Sequence, residues 1–240
     1  MSERSPGFNT LAIHAGAKPD PATGARATPI YQTTAYVFDD VDHAASLFGL
    51  KAFGNIYTRI MNPTQAVLEE RIAALEGGTA ALATASGHGA QLLIFHNIMR
   101  PGENFVAARK LYGGSINQFG HAFKNFGWEV RWADTDEPDS FEPQIDDRTR
   151  GIFIESLANP GGEFVDIEKI GDIARKHGLP LIVDNTLASP YRLRPIEHGA
   201  DIVVHSLTKF LGGHGTSIGG AIVDGGTFDY GASGRFSNFT

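Results

Sequence analysis

The sequence predicts an α/β fold built on a mainly parallel, doubly wound sheet. Apolar strand-like runs alternate with helical stretches over most of the chain. Its 29 glycines in 240 residues exceed ordinary usage, about 7%, and many fall where a strand gives way to a helix. No internal repeat is evident, and the length suits one large domain or two small ones.

Residues 1–60 carry little periodicity. They read as an extended N-terminal arm with one short helix at "DHAASLFG". The aromatics Tyr31, Tyr36 and Phe38 suit an arm docked on another surface, such as a neighbouring subunit. Regular structure begins at "NPTQAVLEERIAALEGG", a helix with Pro63 near its first position and Gly77 as its stop. "TAALATAS" predicts a buried strand, followed by the helix "GAQLLIFHNIM". "ENFVAAR" predicts a strand, "GGSINQFGHAFKNFG" a helix ending at Gly127, and "WEVRWAD" a strand. "RGIFIES" is a further strand, and "DIEKIGDIARKHG" a helix capped by Asp166. "LPLIVDN", "ADIVVHS" and "GGAIVDGG" complete the strands.

Composition excludes several functions. The absence of cysteine removes disulfides, thiolate metal sites and a cysteine nucleophile. A net charge of −7, spread along the chain, argues against a nucleic-acid surface. No apolar run is long enough to span a bilayer, and the first residues lack an apolar signal core, so a cytoplasmic address is expected. No ligand-spaced His/Asp/Glu cluster predicts a metal site. His205 reads as a strand residue and His214 as a wall of the glycine loop.

Chemistry is expected beyond the carboxyl ends of the strands. Ser86-Gly87-His88 joins a strand to a helix, where free N–H groups suit a phosphate. Asp184 ends an apolar strand, and a buried carboxylate there makes sense opposite a cationic ligand atom. Ser206 and Thr208 offer two hydroxyls, with Lys209 directly after them. A lone lysine is ordinarily solvated. A lysine accompanied by a carboxylate and phosphate donors matches the needs of pyridoxal phosphate.

With these residues in view, the sequence resembles the Cys/Met-metabolism family of pyridoxal-phosphate enzymes, most of all its members that sulfhydrylate O-acetylhomoserine. "GNIYTRIMNPT", "KLYGGSINQF" and "GGHGTSIGG" carry the resemblance, which runs over essentially the whole chain. It implies an aspartate-aminotransferase-like (fold type I) large domain over 61–240. It also implies a smaller C-terminal domain in the family that this chain does not reach. Lys209 would be the Schiff-base lysine and proton carrier, Asp184 the partner of the ring nitrogen, and Tyr112 a stacking and acid–base aromatic. Gly87, His88, Ser206 and Thr208 would hold the phosphate, and Asn159, with Glu155, would line the pocket near the cofactor's phenolic oxygen. Thr186 would orient Asp184, touch the cofactor or serve as a turn hydroxyl. Tyr57 and Arg59 would reach the phosphate in a neighbouring subunit, which implies a homo-oligomer (dimer or tetramer) with shared sites. The implied reaction is γ-replacement on O-acetylhomoserine by sulfide or a thiol, giving homocysteine or methionine. Cystathionine γ-synthase chemistry, methionine γ-lyase chemistry, or a cofactor-binding fragment without turnover are the alternatives.

Overall fold

The computed structural model describes residues 6–239. It divides into two compact units, Met1–Arg71 and Ile72–Thr240.

The first unit contains α1 (Phe8–His14), α2 (Val41–Phe48) and most of α3 (Pro63–Glu76). Helix α2 is the one predicted at "DHAASLFG", and the Asp40 carboxylate caps it by accepting from the His43 N–H. Helix α1 carries no sequence signal, because seven residues are too few for a period and Gly7 supplies no capping side chain. The irregular chain between α1 and α3 is braced by hydrogen bonds of its own. The Asp20 carboxylate accepts from the Tyr31 hydroxyl (2.9 Å), and the Asn62 amide donates to the Tyr31 carbonyl (2.9 Å).

The second unit is one seven-stranded sheet with its helices. In chain order it holds β1 (Ala80–Thr84), α4 (Gly87–Ile98), β2 (Asn104–Ala108), α5 (Gly113–Gly120), β3 (Glu129–Ala133) and β4 (Thr149–Glu155). Helix α6 (Ile167–Lys176), β5 (Leu181–Asp184), β6 (Ile202–Ser206) and β7 (Gly220–Asp224) follow. The strand order is β1-β7-β6-β5-β4-β2-β3. Strand β7 pairs antiparallel with both neighbours, and every other pair is parallel. The C-terminal ends of the other six strands therefore lie along one edge, as a mainly parallel sheet requires.

Burial follows position in the sheet. Strand β2 is buried throughout, and β4, β5 and β6 nearly so, which explains their unbroken apolar runs. Strand β1 corrects the sequence expectation: it is an edge strand paired only with β7, and Leu82 is 46% exposed. The helix expected to run to Gly127 also stops early. Helix α5 ends at Gly120, His121 leaves helical geometry, and a 3-10 turn over Ala122–Phe126 closes on Gly127 at φ 74°. Phe95, Phe105, Phe119, Phe123 and Phe153 form a fully packed aromatic cluster joining α4 and α5 to β2 and β4.

Candidate active site

A cavity of about 620 Å³ opens at the carboxyl edge of the sheet, within the second unit. That volume suits a small-molecule ligand or cofactor. Its walls come from the ends of β4, β5 and β6, from the segments that follow β1, β2, β4, β5 and β6, and from the starts of α4 and α5. Gly87, His88, Tyr112, Asn159, Asp184, Ser206, Thr208 and Lys209 all line it. Ser86, Glu155 and Thr186 line it too, so most of the residues singled out in the sequence share one cavity, although they are scattered over more than a hundred positions.

One corner of the cavity begins with Ser86, whose hydroxyl caps α4 by accepting from the Gly89 N–H at 3.0 Å. Helix geometry leaves the N–H groups of Gly87 and His88 without a carbonyl one turn earlier. These donors, with the positive end of the helix, form an anion site. Glycine at 87 is required by packing: a Cβ there would come within 2.9 Å of the Ser206 Cβ. The Thr208 hydroxyl also braces its own loop. It donates to the Gly219 carbonyl (3.2 Å) and accepts from the Gly219 N–H (3.1 Å), so it closes the glycine loop.

Opposite this corner stands Asp184. One carboxylate oxygen accepts from the Thr186 N–H (3.0 Å) and the other from the Gln91 amide (3.3 Å). The Thr186 hydroxyl accepts from the Ser206 N–H at 2.8 Å, so it ties the β5 turn to β6. Gln91 also donates to the Ser115 hydroxyl at 3.0 Å. No sequence argument identified Gln91, although a lone amide inside the apolar stretch "GAQLLIF" is its visible trace.

Glu155 is 5% exposed. Its two oxygens accept from the N–H groups of Tyr112 (2.7 Å) and Asn159 (3.2 Å). Burial first, and then the charge of Asp184, pushes its carboxyl group up to about 8, against the pull of those two N–H bonds. Tyr112, 48% exposed, stacks on the His88 ring with centroids 5.8 Å apart and planes 26° apart. Lys209 follows β6 in a turn closed by its own N–H on the Ser206 carbonyl, and its side chain is exposed at the cavity.

Tyr57 and Arg59 belong to the first unit, where the guanidinium lies 5.6 Å from the Tyr57 ring centroid. His214 is exposed and bonds the Gly212 carbonyl, so it is not a wall residue as expected; Gly213 and Gly215 are. His205 is a strand residue, as expected, but fully buried against Glu76.

A lysine, an oriented carboxylate, a flat aromatic and a helix N-terminus around one cavity define a site for a phosphorylated aromatic aldehyde. The chain belongs to the family of Cys/Met metabolism PLP-dependent enzymes, whose model matches residues 9–238. It is 55% identical over 231 residues to O-acetyl-L-homoserine sulfhydrylase of Leptospira meyeri, covering 96% of this chain and 52% of that one. Against homocysteine/cysteine synthase of Saccharomyces cerevisiae it is 51% identical over 226 residues, covering 93% and 51%. Among solved structures, it superposes with a TM-score of 0.89 on a putative O-acetylhomoserine (thiol)-lyase of Campylobacter jejuni. That structure, which contains N'-pyridoxyl-lysine-5'-monophosphate, is 44% identical, with 92% of this chain and 54% of that chain covered. The fold is therefore that of the fold-type-I pyridoxal-phosphate enzymes, and the chain spans about half the length of the curated relatives it matches. No described helix is long and apolar enough to cross a membrane.

Proposed function

We propose that this chain is the cofactor-binding part of an enzyme that replaces the acetate of O-acetylhomoserine with sulfide or a thiol, giving homocysteine or its thioether. The convergence of Lys209, Asp184 and the α4 N-terminus on one cavity carries the proposal. Relatives named sulfhydrylase and homocysteine synthase, at 55% and 51% identity, favour this reaction over γ-synthase or γ-lyase chemistry.

The site's residues fit pyridoxal phosphate by their donor set. The N–H groups of Gly87 and His88 would hold its phosphate, with the Ser206 hydroxyl beside them. Asp184, fixed by Thr186 and Gln91, would keep a proton on its ring nitrogen, and Lys209 would hold its aldehyde. When bound, the cofactor supplies an electron sink that acidifies the substrate carbon next to the amine. The Lys209 amine, once released by substrate, would take and return protons along the substrate carbons as acetate leaves and sulfide adds. The Tyr112 ring would cover the cofactor face and exclude water. Asn159, fixed through Glu155, would line the substrate side.

The first unit is proposed as an arm that a second copy covers. Ile30, Val37, Val41, Phe48 and Phe53 are exposed on it, apolar side chains that a second copy would cover. Tyr57 and Arg59 would then serve the neighbouring copy's cofactor, and a cytoplasmic address fits such a biosynthetic role. Light scattering decides the assembly, with a monodisperse monomer as the opposing result.

The cofactor reading is tested by the visible spectrum of the purified chain with pyridoxal phosphate, beside Lys209→Ala. A band bleached by borohydride, and absent from the variant, supports it. A folded wild-type chain without the band refutes it. Product analysis with O-acetylhomoserine and sulfide, against cystathionine- and methionine-forming substrates, then tests the reaction.

A further inference from the structure

Behind the cavity, three strand ends share one buried chain of polar side chains. Successive residues of a strand face opposite sides of the sheet. Beside the cavity residues Glu155, Asp184 and Ser206 stand Ser156, Asn185 and His205, all three buried. The Ser156 hydroxyl donates to the Asn185 side-chain oxygen at 2.8 Å. The Asn185 amide donates to Glu76 Oε1 at 2.9 Å and to the Leu193 carbonyl at 2.8 Å. His205 Nε2 donates to the same Glu76 oxygen at 2.5 Å. Glu76, the last residue of α3, and His205 are both 0% exposed. Glu76 Oε2 and His205 Nδ1 have no hydrogen-bond partner among the described residues.

A carboxylate buried this completely is costly to desolvate, and apolar side chains of similar volume would give comparable stability. What apolar packing does not supply is direction. One oxygen that accepts from both Asn185 and His205 fixes β5 against β6 at the level of the cavity. The bonds that the network does make are strengthened by the low dielectric around them, although Glu76 Oε2 and His205 Nδ1 take no part.

We propose that Glu76 is a positioning residue for the cofactor site. Its Oε1 couples the strand end bearing Asp184 to the strand end bearing Ser206 and the turn to Lys209, and so holds the two cofactor anchors in register. The proposal rests on the cavity being the pyridoxal-phosphate site.

The test compares wild type, Glu76→Ala, Glu76→Gln and Phe123→Leu, the last a core change in the aromatic cluster. Amide hydrogen exchange reads the strand ends without cofactor, and the visible band reads pyridoxal-phosphate affinity. Glu76→Ala should raise exchange selectively at Ser156, Asn185, Ser206 and Lys209. It should also weaken cofactor binding on the order of tenfold, as outer partners of ligating groups do. Glu76→Gln keeps an acceptor oxygen and should recover most of both. Phe123→Leu should raise exchange broadly and leave affinity near wild type. If Glu76→Ala does not fold, His205→Phe removes one donor while keeping a ring and should give the same selective pattern. Uniform exchange in the Glu76 or His205 variant, or selective loosening with unchanged affinity, overturns the proposal. A folded wild-type chain that shows no band refutes the cofactor reading instead, and the exchange pattern still decides whether Glu76 couples the strand ends.

Discussion

Glu155 and Asp184 are register partners on adjacent parallel strands, and both side chains line the same cavity. Burial and the Asp184 charge raise Glu155 to about 8, from an ordinary 4.5. The folded state therefore favours the protonated form. The stabilising effect of that proton is present below pH 4.5 and is lost as pH rises through 8. In the cofactor-free chain we expect thermal stability to fall over that window, by on the order of a few kcal/mol. Glu155→Gln imitates the protonated group and should flatten the slope. A cation bound opposite Asp184 removes only the smaller of the two causes, so cofactor-loaded wild type should keep most of the slope. Melting temperatures from pH 5 to 9 check this, and equal slopes for cofactor-free wild type and variant would sink the assignment.

Gln91 holds Asp184 from helix α4, and its own side-chain oxygen has no hydrogen-bond partner among the described residues. Replacing this amide with leucine removes one donor to a carboxylate along with a half-satisfied buried polar group. We expect Gln91→Leu to melt near wild type yet bind pyridoxal phosphate roughly tenfold more weakly, about 1–2 kcal/mol. A titration of the visible band would show it. A large drop in melting temperature with unchanged affinity would mean that Gln91 supports packing, not Asp184.

Asp146 joins the ends of β2, β3 and β4 that lie away from the cavity. Burial, which raises its carboxyl group, is outweighed by hydrogen bonds from Asn104, the Arg148 N–H and Arg131. The net shift is downward, so its stabilisation is present above the ordinary carboxylate value and is lost as pH falls through the lowered one. Asp146→Asn should lower the melting temperature at pH 7 and reduce the difference between pH 7 and pH 3. A variant that retains the full acid sensitivity of wild type would show that other carboxylates govern it.

The strands were legible because β2, β4, β5 and β6 are buried runs bounded by turn residues, and such runs need no tertiary knowledge. The cavity residues were legible for a related reason: Asp184, Ser206 and Lys209 stand at strand ends, where parallel sheets put their ligands. Leu82 misled because an alanine-rich edge strand has the composition of a buried one. The amide of Gln91 inside "GAQLLIF" and the place of His205 in a strand are visible locally, but Glu76 carries no signature and none of the three names its partner. Glu76 meets His205 across 129 positions and Gln91 meets Asp184 across 93, and only the folded chain creates those partners. Thr208 was placed correctly at the cavity, but its loop bonds to Gly219 depend on where the chain returns eleven residues later.

The contact between Gly87 and Ser206 gives a direct test of the phosphate corner. A Cβ at position 87 would stand 2.9 Å from the Ser206 Cβ and 3.1 Å from its Cα, with backbone on one side that cannot swing away. Gly87→Ala must therefore push the start of α4 from the end of β6, at a cost of about 1–3 kcal/mol for overpacking. The same displacement moves the N–H groups of Gly87 and His88 relative to Lys209. Affinity for pyridoxal phosphate should fall more than affinity for pyridoxal, which lacks the phosphate. Gly89→Ala, whose added Cβ would meet only the Ser86 hydroxyl at 3.2 Å, is the control and should disturb both far less. Equal losses for the two aldehydes in Gly87→Ala would place the phosphate elsewhere in the cavity.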